Sequence, residues 1–293
     1  MKFITVFTPA YNRAYCLDRL YHSLLRQTNQ NFRWLVVDDG STDNTRELVS
    51  SWIADGKLDV EYIHKPNGGM HTAHNTAYAN ISTDLNVCID SDDFMPDNVI
   101  SSIYKEWKPF KNDNSIAGLI GLDESISGEL IGVNFNKEYE PTTLLDYYHK
   151  QGGSGDKKLV LRSKLTMAYP AYPEYPEERL VPLDTLYTLI CRDYKLIPVN
   201  KVWITVDYQV DGSSATIINQ YFKSPKGFRY AREISMIYNN VFKLNLRSAI
   251  HYNISTFIIG DKYKILSSPK PVLTVLLSPL SFIFYLYLKR KNS

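Results

Sequence analysis

Residues 85–93 read Leu85-Asn86-Val87-Cys88-Ile89-Asp90-Ser91-Asp92-Asp93. A nearly all-apolar run of strand length therefore ends in a cluster with three acidic side chains. A strand that is apolar on both faces is typical of the buried centre of a parallel sheet. The stretch predicts a central strand at 85–89 with carboxylates at its carboxyl end.

Two earlier stretches repeat this arrangement of an apolar run followed by a polar cluster. The first cluster is Thr8-Pro9-Ala10-Tyr11-Asn12, and the second is Asp38-Asp39-Gly40-Ser41. In an open parallel sheet, ligands bind in the crevice outside the carboxyl ends of the strands. We therefore expect an aromatic ring and two acidic clusters to meet in one crevice. Together they suit a base, a ribose and a metal-bound diphosphate.

The sequence around these runs alternates strand and helix patterns up to about residue 107. Strands are expected at 3–8, 32–37, 60–63 and 85–89, and helices at 72–79 and 97–107. This alternation predicts an α/β fold whose mostly parallel sheet has helices on both faces. Beyond residue 110 we expect strands at 116–122, 129–133, 158–162 and 202–208, and helices at 142–149, 184–194 and across most of 216–260.

Composition excludes one class of partner. The 293 residues include 33 Lys and Arg against 31 Asp and Glu, a net charge of +2. Without a long basic tract, this balance argues against a nucleic-acid binder. The length allows one large α/β domain and an appendage.

The carboxyl-terminal region carries an uncharged apolar run at 272–288, interrupted by Pro279 and followed by Lys289-Arg290-Lys291. A membrane-spanning helix needs about 20 apolar residues. The shorter run and its proline favour an in-plane or re-entrant hairpin at a membrane surface, through 272–291. The basic end would then meet anionic headgroups on the cytoplasmic face of the plasma membrane. A buried core helix is the alternative.

The acidic cluster after residue 89 is the strongest chemical signal. Crowded carboxylates repel one another, and a divalent cation removes that repulsion. Mg²⁺ and Mn²⁺ prefer oxygen ligands and bind through one or two carboxylates plus substrate phosphates. A solvated turn or helix cap before Pro96 is the structural alternative, as is a tight turn for Asp38-Asp39. His71 and His74 share a helix face, but no acidic or cysteine partner adjoins them, so a donor contact by His71 is favoured over a zinc site.

The clusters, together with the Asn67-Gly68-Gly69 loop, resemble family-two glycosyltransferases of the GT-A fold, of the bacterial capsular or exopolysaccharide type. The resemblance is close over 3–100 and looser over about 150–214. It implies an inverting, metal-dependent transferase that uses a nucleoside-diphosphate sugar, most often a UDP-sugar. It also implies a GT-A domain at 1–214, with a nucleotide-binding half at 1–107 and an acceptor half at 108–214. A helical extension at 215–265 and a membrane-associating tail at 266–293 would follow.

Donor-side roles follow from the resemblance, residue by residue. Pro9, Tyr11 and Asp39 would hold the nucleobase, Tyr11 by stacking and Asp39 by accepting from a base N–H, with Asn12 beside them. Asp90 would reach the ribose, and Asp92, with Asp93 nearby, would bind Mn²⁺ or Mg²⁺. Lys65, Gly68, Gly69 and His71 would border the donor. Related sequences often carry a lysine directly after the double glycine, where this chain has Met70.

The catalytic base and the acceptor side are implied by the second half of the chain. Similar enzymes place the base in a Glu-Asp or Gly-Glu-x-x-x-Pro-Glu context before a helix. Here the corresponding segment offers Asp184 or Glu178, and we favour Asp184. A helix cap and a solvated loop charge are their structural alternatives. Asp156, Gln209 and Asp211 would lie on the side of the acceptor, which is expected to be a saccharide or lipid-linked hydroxyl in surface polysaccharide biosynthesis.

Three other functions compete with this interpretation. A haloacid-dehalogenase-like phosphatase also has an apolar strand followed by Asp-x-Asp, but Phe94 stands where that family expects Thr or Val. A calcium loop would need ligands at Phe94 and Pro96. A non-catalytic nucleotide-sugar binder would keep the donor residues and lack a working base.

Overall fold

The structure is a computed structural model that describes residues 2–207 and 217–292. The chain forms two compact units. The first comprises residues 1–170 and 193–209, and the second comprises residues 171–192 and 210–293.

The first unit is built on one seven-stranded sheet with the strand order β3-β2-β1-β4-β6-β5-β7. Its strands are β1 Ile4–Ala10, β2 Phe32–Asp38, β3 Val60–His64, β4 Leu85–Cys88, β5 Ile116–Ser125, β6 Lys157–Arg162 and β7 Lys195–Val206. β3, β2, β1 and β4 are mutually parallel, β6 is antiparallel to both neighbours, and β5 pairs in parallel with β7. The predicted α/β architecture with a mostly parallel sheet is confirmed.

Helices cover the sheet of the first unit and make up most of the second. They are α1 Ala14–Leu25, α2 Thr45–Asp55, α3 Met70–Asn80, α4 Val99–Trp107, α5 Leu144–Lys150, α6 Ser163–Ala168, α7 Asp184–Asp193, α8 Ile217–Lys223, α9 Pro225–Tyr238, α10 Phe242–Ile259 and α11 Pro271–Asn292. In α1, Leu17, Leu20 and Leu24 recur at helical spacing and are fully buried. That apolar face packs into the core of the first unit, which also contains Trp34 and Trp203.

Two expectations about strands were wrong in part. Residues 129–133 form no strand, because positive φ angles at Gly128 and Gly132 bracket a turn that makes one isolated bridge, from Glu124 to Leu130. The strand expected at 202–208 begins earlier, at Lys195, and its described part ends at Val206. Its first half contains Pro198 and Asn200, which concealed it from pattern analysis.

The expected break at Pro279 is also wrong, because α11 runs through this proline as one helix. An interior proline removes one helical hydrogen bond and costs about 3 kcal/mol. Polar side chains bracket the position: Asn253 of α10 donates to the Thr274 carbonyl at 2.8 Å and to Ser281 Oγ at 3.3 Å. The Ser281 hydroxyl in turn donates to the Leu277 carbonyl at 2.8 Å. By length and composition, 271–291 is long and apolar enough to cross a membrane, and little of it is buried.

Candidate active site

The three polar clusters lie at one edge of the sheet. β1 pairs on one side with β2, where Ala10 is opposite Asp38, and on the other side with β4, where Phe7 is opposite Cys88. All three strands are parallel, so the segments that follow them emerge at the same carboxyl edge. Asp39 N also donates to the Ala10 carbonyl at 2.8 Å. The structure thus brings together the two acidic clusters and the segment that carries Tyr11.

Asn12 connects the first two clusters. Its backbone is left-handed, with φ of 53°, and its N–H donates to Ser41 Oγ at 2.8 Å. Its side-chain oxygen accepts from the backbone N–H groups of Thr42 at 2.8 Å and Asp43 at 3.3 Å. These bonds fix the turn that follows Tyr11, which is 48% exposed. Asn12 therefore acts on the site by holding two loops together.

The Asp39 carboxylate anchors the glycine loop. One oxygen accepts from Lys65 Nζ at 2.6 Å and from Gly68 N at 2.9 Å, and the other accepts from Gly69 N at 2.7 Å. Lys65 Nζ also donates to the Pro66 carbonyl and the Thr72 hydroxyl. Each carboxylate oxygen has two lone pairs. The oxygen bonded to Gly69 therefore keeps an acceptor position, although the Asp39 residue is only 3% exposed.

The acidic cluster after β4 is electrostatically strained. Asp90 and Asp92 are half-buried, and Asp93 is 4% exposed. Burial, followed by the negative charge of Asp90, raises the pKa of the Asp93 carboxyl to about 7. The same two causes raise the pKa of Asp92. The shifts show that this cluster resists carrying its full negative charge, and a bound cation would relieve the repulsion.

The cluster fits a metal that relies on its substrate for further ligands. Within the described residues, no group of three or more His, Cys, Asp or Glu side chains is arranged to hold a metal ion. Mg²⁺ and Mn²⁺ are commonly held by one or two carboxylates plus substrate phosphates. Asp92 and Asp93 supply hard oxygen ligands of the required kind. Residues and metal are therefore compatible when a diphosphate completes the ligand set.

Two charged residues of this edge escaped the sequence analysis. β6 runs antiparallel to β4, so Lys158, near the start of β6, comes to the carboxyl edge. Asp123 of β5 shares its face of the sheet, because Lys158 pairs with Gly121 two residues away. Burial lowers the pKa of the Lys158 ammonium, but Asp123, Asp90 and Asp93 outweigh that effect and raise it. Only the strand direction, which the sequence does not give, would have identified Lys158.

Asp123 is the counterpart of Lys158. It is 2% exposed, and its Oδ1 has no hydrogen-bond partner among the described residues. Burial raises the pKa of the Asp123 carboxyl to about 6, although Lys158 opposes the rise. A buried carboxylate oxygen without a hydrogen-bond partner destabilises the fold, and the nearby charge of Lys158 offsets only part of that cost. The crevice edge therefore carries a positive charge at Lys158 and, besides the two acidic clusters, the carboxyl of Asp123.

Pro9 and His71, like Asp39, are predicted donor residues that the structure buries. Pro9 lies within β1, opposite Val37 of β2. His71, in the first turn of α3, is 1% exposed. His74 is enclosed by Phe7, Tyr78 and Cys88, whose Sγ lies 3.6 Å from Nε2. Burial lowers the pKa of His74 to about 3. His74 is thus a neutral packing residue, and the donor contact of His71 stays a prediction.

The two candidate bases have different surroundings within the second unit. Glu178 is 5% exposed, and its two oxygens accept from Lys226 N at 3.0 Å and Gly227 N at 2.9 Å, in the first turn of α9. Asp184 begins α7 and is accessible to solvent. Surrounding protein nevertheless withdraws it from bulk water and raises the pKa of its carboxyl, against the opposing charge of Arg232. Glu178 is committed to anchoring α9, and Asp184 is available.

The structure describes only one of the three residues predicted on the acceptor side. Asp156 is exposed in the loop before β6. Gln209 and Asp211 lie outside the described residues. Met70, in the position where related sequences often have a lysine, is 37% exposed at the start of α3.

Curated relatives share part of the chain. GlyG, a glycosyltransferase of Streptococcus pneumoniae, is 31% identical over 125 residues, which is 42% of this chain and 41% of that protein. The chondroitin synthase of Pasteurella multocida is 30% identical over 135 residues, 45% of this chain and 14% of that protein. The matched region thus covers less than half of the length of these relatives.

Solved structures share the fold over nearly the whole chain. Residues 1–349 of Staphylococcus aureus TarS, in complex with UDP-GlcNAc, match 99% of this chain and 88% of that chain, with a TM-score of 0.65 and 18% identity. The mannosyltransferase PcManGT of Pyrobaculum calidifontis, in complex with GDP-Man and Mn²⁺, matches 99% and 82%, with a TM-score of 0.57 and 15% identity. The fold is therefore the GT-A fold.

The family model for glycosyl transferase family 2 matches residues 5–165. This range is more than half of the chain, and it contains β1, β2 and β4 with the polar clusters that follow them. The chain therefore belongs to glycosyl transferase family 2.

Proposed function

We propose that this chain is an inverting transferase that moves a sugar from a UDP-sugar to a hydroxyl of a saccharide or lipid-linked acceptor. The observation that carries the proposal is the meeting of the Tyr11 segment, Asp39 and the Asp90–Asp93 cluster at one carboxyl edge. Relatives include a chondroitin synthase and a hyaluronan synthase, and one structural neighbour was solved with UDP-GlcNAc. These names support a role in surface polysaccharide synthesis.

The donor would be held by residues with separate tasks. The exposed ring of Tyr11 would stack on the base, and Asp39 would accept from a base N–H with its remaining acceptor position. Asp90 would bind the ribose. Asp92 and Asp93 would hold Mn²⁺ or Mg²⁺, which offsets negative charge on the departing diphosphate when it is bound.

A second positive charge would come from the protein itself. Lys65 is already bonded to Asp39, Pro66 and Thr72, which leaves its ammonium little capacity for a phosphate. Lys158 lies at the same edge among Asp90, Asp93 and Asp123. We propose that Lys158 faces the donor diphosphate and takes the part that the residue after Gly69 plays in related sequences.

Asp184 would be the general base that takes the proton of the acceptor hydroxyl. Its accessibility supports this role, and a carboxyl with a raised pKa holds a proton more readily than an ordinary aspartate. Glu178 would instead maintain the start of α9. Asp156, Gln209 and Asp211 would contact the acceptor.

The proposal is tested by measuring sugar transfer from each member of a panel of nucleotide sugars, once with Mn²⁺ or Mg²⁺ and once with excess chelator. Metal-dependent transfer from a UDP-sugar, with inversion at the anomeric carbon, is the expected result. Donor binding without transfer by any panel member would favour a non-catalytic binder. Hydrolysis of phosphate esters without donor binding would favour a phosphatase.

Association with the cytoplasmic face of a membrane is the second part of the proposal. α11 exposes large apolar side chains, among them Val272, Leu276, Ile283 and Tyr287, and its last turn is basic. An apolar helix face beside basic residues is typical of binding to anionic lipid surfaces. Each basic residue near such a surface contributes about 1 kcal/mol.

Vesicle co-sedimentation tests this association. Replacing Lys289, Arg290 and Lys291 with Gln should lower the affinity for anionic vesicles roughly 100-fold and leave weak binding to neutral vesicles unchanged. A control with Gln at the exposed Lys105, Lys108 and Lys111 should bind like the unchanged chain. Equal binding by both triple variants would contradict the proposed basic contact.

A further inference from the structure

Arg19 of α1 makes a group of contacts with the acidic loop that none of the expected donor contacts includes. Its Nη2 donates to the backbone carbonyl of Asp92 at 2.5 Å, and its Nη1 donates to Asp207 Oδ2 at 2.8 Å. The guanidinium carbon lies 5.1 Å from the ring centroid of Phe94, within cation–π distance. One side chain thus joins α1, the loop after β4 and the end of β7.

The end of β7 holds the same loop from its other side. The Asp207 N–H donates to Asp93 Oδ1 at 3.3 Å. Phe94 and Thr205 exchange two backbone hydrogen bonds, of 3.2 Å and 2.9 Å. The loop at 90–94 is therefore fixed by backbone pairing at Phe94 and by the Arg19–Asp207 pair at Asp92 and Asp93.

These contacts hold the loop in one arrangement against the mutual repulsion of its three aspartates. Three aspartates within four residues repel one another, and nothing in the repulsion itself selects the arrangement that a cation requires. Arg19 contributes a permanent positive charge next to Asp92, and its planar donors fix the Asp92 carbonyl and the Asp207 carboxylate at the same time. Partners outside the ligand set orient metal ligands, and their loss typically lowers metal affinity 10- to 100-fold.

We propose that Arg19, together with Asp207, is a positioning residue that holds the 90–94 loop ready for a divalent cation and a diphosphate. The inference rests on the proposed metal-dependent function. It assigns to Arg19 no contact with the substrate.

The pair differs from an ordinary surface ion pair. The Arg19 and Asp207 side chains are 35% and 28% exposed, whereas those of Arg26 and Asp97, a pair next to the end of the same helix, are 54% and 57% exposed. Exposed pairs of the second kind contribute little. Arg26 therefore offers a matched control that contacts neither Asp92 nor Asp207.

Calorimetry with Mn²⁺ and UDP tests the proposal on the full chain, together with thermal unfolding. R19M should raise the Kd for Mn²⁺ in the presence of UDP about tenfold, and R19K should restore part of that loss because it keeps the charge. D207N should raise this Kd less than R19M, since the bond to the Asp92 carbonyl persists. R26M should bind Mn²⁺ like the unchanged chain.

An R19M variant that binds Mn²⁺ with unchanged affinity would overturn the proposal, even if its unfolding temperature falls. If R19M does not fold, R19K and D207N decide, and unchanged Mn²⁺ affinity in both would overturn it. If the unchanged chain shows no Mn²⁺-dependent UDP binding, the proposed function fails and this inference fails with it. If the unchanged chain binds UDP in a Mn²⁺-dependent way and R19M binds Mn²⁺ with the same affinity, only the inference about Arg19 fails and the proposed function stands.

Discussion

Replacing Asp39 with Asn should destabilise the first unit and weaken donor binding together. Asn keeps one acceptor oxygen, whereas the Asp39 carboxylate uses both of its oxygens for Lys65, Gly68 and Gly69. In either orientation of the amide, its NH₂ group faces a donor. At least one buried backbone N–H, that of Gly68 or of Gly69, then loses its partner, and Lys65 loses its opposite charge.

The magnitude follows from these contacts. A buried donor without a partner costs about 1–3 kcal/mol. Loss of a buried ion-pair partner costs about 3–5 kcal/mol, but Lys65 is 19% exposed, so part of that cost is screened. Together they lower the free energy of unfolding by roughly 2–4 kcal/mol. For a unit of this size the unfolding temperature should fall by about 4–16 °C.

Thermal unfolding and UDP calorimetry measure both effects in D39N. The control is D59N, since Asp59 is exposed and lies 3.8 Å from Arg33. Its effect should stay within about 0.5 kcal/mol. If D39N unfolds at the same temperature as D59N and binds UDP with unchanged affinity, Asp39 does not anchor the glycine loop and the reasoning is refuted.

Three further predictions concern the candidate site. D184N should abolish transfer and leave UDP affinity unchanged, whereas E178Q should lower the unfolding temperature and leave transfer per folded molecule unchanged. The reverse pattern would identify Glu178 as the base. K158M should raise the Kd for UDP about tenfold or more and change the Kd for UMP little, as measured by calorimetry of both nucleotides. Equal losses of affinity for UDP and UMP would show that Lys158 does not contact the diphosphate. Burial raises the pKa of Asp123 to about 6, from an ordinary value of about 3.9. Between these two values the folded state binds more protons than the unfolded state, so the free energy of unfolding should fall as pH rises from about 4 to 6. D123N should flatten this fall in pH-resolved unfolding, and an unchanged slope would contradict the assignment.

The sequence predicted the parts of the site that depend on strand order alone. Tyr11, Asp39 and Asp90 each follow an apolar strand, and parallel pairing brings their segments to one edge. This result needs only the alternation of strands and helices and the crossover rule. The hydrogen bonds from the glycine loop to Asp39 were not predicted and come from the structure.

Other parts depended on pairings between distant segments. Lys158 reaches the crevice because β6 is antiparallel to β4, and the sequence of β6 alone does not give that pairing. Arg19 contacts Asp92 and Asp207, which are 73 and 188 residues away along the chain. The continuous α11 was missed because Asn253 and Ser281, which accompany Pro279, come from two different helices. These features belong to the packing of the chain and not to its periodicity.

The central claim is that the carboxyl edge of β1, β2 and β4 binds a nucleoside diphosphate through a cation. Calorimetric titration of UDP into the unchanged chain and into D92N, each with Mn²⁺ and with excess chelator, tests it most directly. Chelator should remove most of the UDP affinity of the unchanged chain, and D92N should bind UDP weakly under both conditions. Strong UDP binding by D92N that ignores Mn²⁺ would contradict it.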